Sequence, residues 1–98
     1  MALNLHFEWD PKKAASNLRK PRVSFVEAAG VFRDPLALTI YDEDHGRNEE
    51  RWITLGLVNG RQLVVVVHTW WEANSDEIHV RIISAREATA HETRQYEE

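Results

Sequence analysis

Residues 63–67 read Leu-Val-Val-Val-Val, and Asn59-Gly60 stands just ahead of them. An unbroken apolar run of β-formers has no polar face to give to water, so the strand it forms, Gln62 to Trp70, is expected at the centre of a sheet. Asn-Gly suits the two positive-φ positions of a type I′ turn. An antiparallel neighbour over 52–58 follows. Whatever else the chain does, it has to build a sheet around this hairpin.

The flanking segments supply the other strands. Leu3, Leu5, Phe7 and Trp9 alternate with Ala2, Asn4, His6 and Glu8, the period of a half-buried strand. Leu36, Leu38 and Ile40 alternate with Ala37, Thr39 and Tyr41, and Ile78 to Ile83 gives a fifth strand. Asp10-Pro11 is an N-cap followed by proline, opening a helix that runs to about Lys20 before Pro21. Ser24-x-x-Glu27 is a capping box for a second helix, whose Phe25, Ala28, Ala29 and Phe32 form one apolar stripe that ends at Asp34-Pro35. Ser84-x-x-Glu87 is a similar signal, read as the start of a last, nearly all-polar helix from Ala85 to Tyr96. The order is β-α-α-β-β-β-β-α, an α+β fold with an antiparallel meander. One face of the sheet is expected to pack on helices and the other to be more polar. Ninety-eight residues make one domain, 1–98.

Composition narrows the function. With no cysteine, thiol catalysis and zinc thiolates are excluded. No apolar run nears the ~20 residues of a membrane span, and the start, Met1 to His6, lacks the pattern of a signal peptide. A cytoplasmic protein is the expectation. The net charge of −4 argues against a bulk nucleic-acid binder, yet Lys12, Lys13, Arg19, Lys20 and Arg22 gather near the start and leave room for a local basic surface.

Several ordered blocks resemble the BrnT family. They are Phe7-Glu8-Trp9-Asp10 with Lys13 and Asn17, Val23-Ser24-Phe25 with Ala28-Ala29, Val31 to Pro35, and Asp44-His45 with Glu49-Glu50-Arg51. Gly56, Gly60-Arg61, the valine run, and Arg81 to Arg86 with Ala88, Thr89, Glu92 and Tyr96 complete the set. The resemblance implies a RelE-like fold, RNA-cleaving toxicity without metal or organic cofactor, and neutralisation by a BrnA-like antitoxin with a DNA-binding domain. A higher assembly with an antitoxin dimer is compatible with that. The chain departs from the family at Lys20-Pro21-Arg22, where Lys-His-Gly is frequent, and at Trp70-Trp71-Glu72, where an arginine is frequent.

Metal-free RNA cleavage needs a base for the 2′-hydroxyl, charge to hold the phosphorane and an acid for the leaving oxygen. Arginine suits the second task because its fork matches phosphate oxygens. Arg81 should share the less apolar strand face with His79, and Arg86 is placed in the first turn of the last helix, where the dipole disfavours a cation. A solvated strand face and an exposed arginine beside Glu87 are the plain alternatives. His68, at the end of the valine strand, and His45, in an acidic loop, are acid–base candidates; packing and solvation are their ordinary explanations. Lys13, Lys20, Arg51 and Trp70 are candidates to touch RNA, with one of Trp70 and Trp71 expected in the core. Asp42, Asp44, Glu49 and Glu50 with His45 do not match a calcium loop, so no metal is expected. The competing function is a non-catalytic module of the same fold that binds RNA or antitoxin.

Overall fold

The computed structural model describes residues 3–18, 23–43 and 49–98. Its strands are β1 (Asn4–Trp9), β2 (Leu38–Tyr41), β3 (Trp52–Val58), β4 (Gln62–His68), β5 (Trp71–Glu72) and β6 (Glu77–Glu87). Its helices are α1 (Pro11–Asn17), α2 (Phe25–Ala28), which tightens into a 3-10 turn over Ala29–Arg33, and α3 (Ala90–Glu97). The sheet runs β1-β6-β4-β3-β2, with β5 also on β6. The valine strand is therefore central, and Val64 and Val66 are fully buried while Val65 is 4% exposed on the other face. Asn59 and Gly60 have φ of 55° and 69°, the double left-handed turn that Asn-Gly favours.

The α+β class holds, with two corrections. First, the sheet is mixed: β1 pairs with β6 in parallel, from Asn4 beside Glu77 to Trp9 beside Ile82. Helices α1 and α2 follow β1, so the chain never returns through a tight turn beside it. Second, the final strand continues to Glu87 instead of yielding to a helix after Ile83. Val64 to Val67 pair with Glu87 to Ser84, and a ladder against the most buried strand outweighs a local capping signal. The helix starts one motif later, where Thr89 and Glu92 form the capping box.

One sheet face carries the core. Ile78, Val80, Ile82 and Ala85 of β6 join Val64, Val66 and Val58 against Val23, Phe25, Ala28 and Val31. Ala29 and Phe32 are partly buried against the same cluster, so the stripe foreseen for the second helix does pack on the valine strand. The 3-10 turn rides close over β3 at Gly56, where a Cβ would sit 2.9 Å from Val31 Cβ.

The opposite face is not uniformly polar. By register, Leu38 and Ile40 of β2 lie beside Leu55 and Ile53, which lie beside Val65 and Val67. Leu55 and Val65 are buried, whereas Leu38 and Ile40 are 44% and 63% exposed. Polar side chains take over only towards β6 and β1, where His6 stacks on His79 with ring centres 4.9 Å apart.

Candidate functional site

Val80 and Ile82 alternate with Arg81 along β6, and the register shift that leaves Ile83 extra, between Ile82 beside His68 and Ser84 beside Val67, resets the faces so that Ala85 also enters the core and Arg86 joins Arg81 on the open face. Arg81 forms an ion pair with Glu49. Arg51, which precedes Trp52 of β3, reaches the same carboxylate at 3.8 Å. Glu49 thus stands between two guanidinium groups. The Arg51 Nε is buried and has no acceptor among the described residues. Arg86 sits farther along β6, roughly 16 Å away at ~3.3 Å per strand residue. Its two terminal nitrogens each donate to a Glu92 oxygen at 2.8 Å. Hydrogen bonding to Arg86 draws the Glu92 carboxyl down to about 2 against the desolvation that opposes it, and the Thr89 amide helps.

The core face holds the other arrangement, a pocket of about 380 Å³ between the 3-10 turn and the sheet. Phe32, Trp52 and Trp70 line it together with Thr39, Thr54, His68 and Asp34. His68 is only 1% exposed at its floor. Its Nδ1 lies 2.9 Å from the Thr69 carbonyl and its Nε2 lies 2.7 Å from the Thr54 hydroxyl. A carbonyl can only accept, so Nδ1 carries the hydrogen and, in the neutral ring, Nε2 accepts from Thr54. Thr54 Oγ1 then receives the Thr39 hydroxyl at 2.9 Å. Burial lowers the His68 pKa below its ordinary value, only partly offset by the Thr69 carbonyl, which keeps the ring neutral.

The profile of the family described as "Ribonuclease toxin, BrnT, of type II toxin-antitoxin system" matches residues 9–92. The chain belongs to the BrnT family of ribonuclease toxins. Its fold is similar to the crystal structure of the Brucella abortus ribonuclease toxin BrnT, with a TM-score of 0.63 at 19% identity, over 88% of this chain and 99% of that one. No curated protein sequence matches it. Among the described residues no helix is long and apolar enough to cross a membrane.

Within this BrnT-family chain the residues singled out from the sequence fall into three groups. Arg51 and Arg81 come together around Glu49. His68 and Trp70 come together in the pocket on the other face, Trp70 with its ring 6.3 Å from Phe32 and 6.4 Å from His68. Arg86 stands apart, and on a strand, which corrects its placement in a helical turn. Neither Trp70 nor Trp71 is in the core: the ladder ends at His68, and the two rings are 36% and 63% exposed. Lys13 is exposed on α1, beside a groove formed with Ser16, Asn17, Ile83 and Ser84. His45 and Lys20 lie outside the described residues. In the sequence Glu49 stands in a family-like block with Glu50 and Arg51 and among the loop carboxylates, with no catalytic role legible there. Its place between Arg51 and Arg81 depends on a contact across 32 residues that no local pattern encodes.

Proposed function

We propose that the chain is an endoribonuclease that cleaves RNA without a metal, with Glu49, Arg51 and Arg81 at its centre. The observation that carries this reading is the carboxylate held between two guanidinium groups on the open sheet face. The Glu49 carboxylate accepts the proton of the 2′-hydroxyl. The attacking 2′-oxygen closes a cyclic phosphate as the 5′-oxygen leaves, and the two guanidinium groups hold the added charge of the phosphorane. The proton for the leaving oxygen comes from outside this trio. Arg86, once released from Glu92, contacts the RNA backbone farther along the same face, and Lys13 and Lys20 add positive charge. His68 lies on the other face, enclosed at the pocket floor, and so is not placed to move a proton at the Glu49 centre. The protein acts in the cytoplasm, and a BrnA-like antitoxin neutralises it.

The test is cleavage of RNA by the purified protein with and without a chelator. Cleavage that survives the chelator and falls about 10²–10³-fold in Arg81→Ala supports the reading, that being the usual effect of losing one donor to developing charge. Arg81→Lys keeps the charge but loses the fork, and should recover only part of the rate. Full activity in Arg81→Ala, or cleavage that the chelator stops, overturns it. A second reading, a module that binds RNA or antitoxin without cutting, draws on the acid partners that already occupy Arg81 and Arg86. Its signature is binding without cleavage in the same assay.

A further inference from the structure

Arg51 and Trp52 are consecutive, and alternation sends the first to the open face and the second into the pocket. The same holds across the neighbouring strands. Thr69 receives the Arg81 amide on its hydroxyl at 3.2 Å and gives its own amide to the Arg81 carbonyl at 3.0 Å, and Trp70 follows it into the pocket. The arginine cluster and the aromatic pocket therefore lie on opposite faces of the sheet and approach its rim at the start of β3, where Arg51 and Trp52 adjoin, while Arg81 reaches that cluster from inside β6. A chain whose backbone rests on one side can turn its next group over the rim into the other.

The pocket's chemistry restricts that group. At about 380 Å³ it is at the lower end of small-ligand sites, and its walls are the flat rings of Phe32, Trp52 and Trp70. Tyr41 extends the wall, edge-on to Trp52 at 5.1 Å. The polar lining is one-sided. Thr39 gives its proton to Thr54, and Thr54 gives its own to His68, so Thr39 presents lone pairs to the pocket. Asp34 can only accept, and its oxygens already take the amides of Leu36 and Leu57 and the Tyr96 hydroxyl. A carboxylate has room for about four such bonds, so one site stays open. A flat, apolar ring with an N–H to donate is the complement.

We propose that this pocket holds an unstacked RNA base bearing an exocyclic amine, stacked on Trp70 and donating to Thr39, while the adjoining phosphate lies over the rim at Arg51 and Arg81. This deepens, and rests on, the ribonuclease reading. The base is gripped from outside the cleavage centre, so it sets which strand positions are presented to Glu49.

The probes are adenosine and purine riboside, which differ by the amine alone. Binding is followed by the emission of the pocket tryptophans and by NMR shifts of Thr39 and the Trp70 indole. Adenosine should bind about 3- to 10-fold more tightly, the effect of one neutral hydrogen bond. Thr39→Val should erase the preference and Thr39→Ser keep it. Trp70→Ala should weaken both ligands by roughly 5- to 100-fold, the range of a lost stacking contact. A short adenine-containing RNA should outbind adenosine and lose that gain in Arg81→Ala. Shifts confined to other residues, a preference that survives Thr39→Val, or an oligonucleotide no tighter than adenosine would each overturn the proposal, the last by marking a site for a free nucleoside. RNA cleavage by the unaltered protein is scored separately. Cleavage with no pocket response sinks this site alone, whereas a pocket response without cleavage leaves the site standing and sinks the ribonuclease reading.

Discussion

Strand β4 and helix α3 are held in opposite ways. In β4 no side chain is exposed and Val64, Val65, Val66 and His68 are buried, and each fully buried valine contributes about 1.5–3 kcal/mol through the surface it hides. In α3 no residue is buried. That helix hangs on three polar fastenings: the Thr89–Glu92 capping box, the Arg86–Glu92 pair, and the Tyr96 hydroxyl donating to Asp34 at 2.6 Å. Burial pushes the Asp34 carboxyl up, but the hydrogen bonds from Tyr96, Leu57 and Leu36 outweigh it and leave the pKa lowered. A segment fixed by burial resists pH and salt, whereas one fixed by charge does not. Perturbing each kind of fastening is therefore the way to test the contrast.

The largest expected loss of stability is at the centre. In Gly56→Ala the new methyl would sit 2.9 Å from Val31 Cβ and 3.2 Å from the Val31 Cα and carbonyl oxygen. Backbone cannot swing aside as a side-chain tip can, so the 3-10 turn must lift off β3. We expect a cost of about 1–3 kcal/mol, as for other overpacked cores. For a domain this small each kcal/mol lowers Tm by about 4–8 °C. A melting temperature unchanged from that of the unaltered protein would show that the turn is not seated as described.

That centre was legible in the sequence and the rim was not. The valine run fixed the place of β4, and Asn59-Gly60 fixed its hairpin, because both signals are local and nothing nearby competes with them. At the C-terminus two capping boxes stand five residues apart, Ser84 to Glu87 and Thr89 to Glu92. Local chemistry cannot rank them. The ladder to Val64–Val67 decides, by drawing residues 84–87 into the sheet. The site shows the same limit. Arg81 was legible from its place opposite the apolar residues of its strand, but its partner Glu49 was not. Nor did the alternation of β4 reveal that His68 and Arg81 would end on opposite faces, since that depends on how β4 and β6 pair, through an irregularity at Val67 and His68.

An effect of the same order is expected from the polar thread inside the core face. Thr54→Val keeps the shape and removes the hydroxyl that His68 Nε2 accepts from at 2.7 Å. His68 is 1% exposed, so water cannot take over. An unsatisfied buried acceptor costs about 1–3 kcal/mol. The same site predicts a pH trend. Burial lowers the His68 pKa in the folded protein, so between that value and the unfolded value of about 6.5 the unfolded chain binds more protons. Stability is complete above about 6.5 and declines as the pH falls through that window. His68→Phe should lose the His68 share of this decline, whatever it does to overall stability. A decline of undiminished slope would place the titrating group elsewhere.

The smallest effect should come from the fastening of α3, and it should stay local. Glu92→Gln keeps one acceptor oxygen for the Thr89 amide, because glutamine also serves in a capping box, and removes the charge together with one prong of the Arg86 pair. The Arg86 side chain is 51% exposed, which lets solvent screen the pair, so below about 1 kcal/mol is expected in spite of the two-pronged geometry. Hydrogen exchange resolves what a melting curve would miss. Amides of α3 should exchange faster in Glu92→Gln while those of β4 are unchanged, since a local opening of the helix breaks none of the sheet's pairing. The sign with pH follows from the carboxyl held at about 2: its contribution is whole above the ordinary carboxylate pKa near 4.5 and fades as the pH falls towards about 2. Protection of α3 in the unaltered protein should fade over that acid range, and in Glu92→Gln that portion of the fading should be missing. If β4 loses protection in step with α3, helix and sheet open as one unit, and the division between a segment held by burial and a segment held by charge fails.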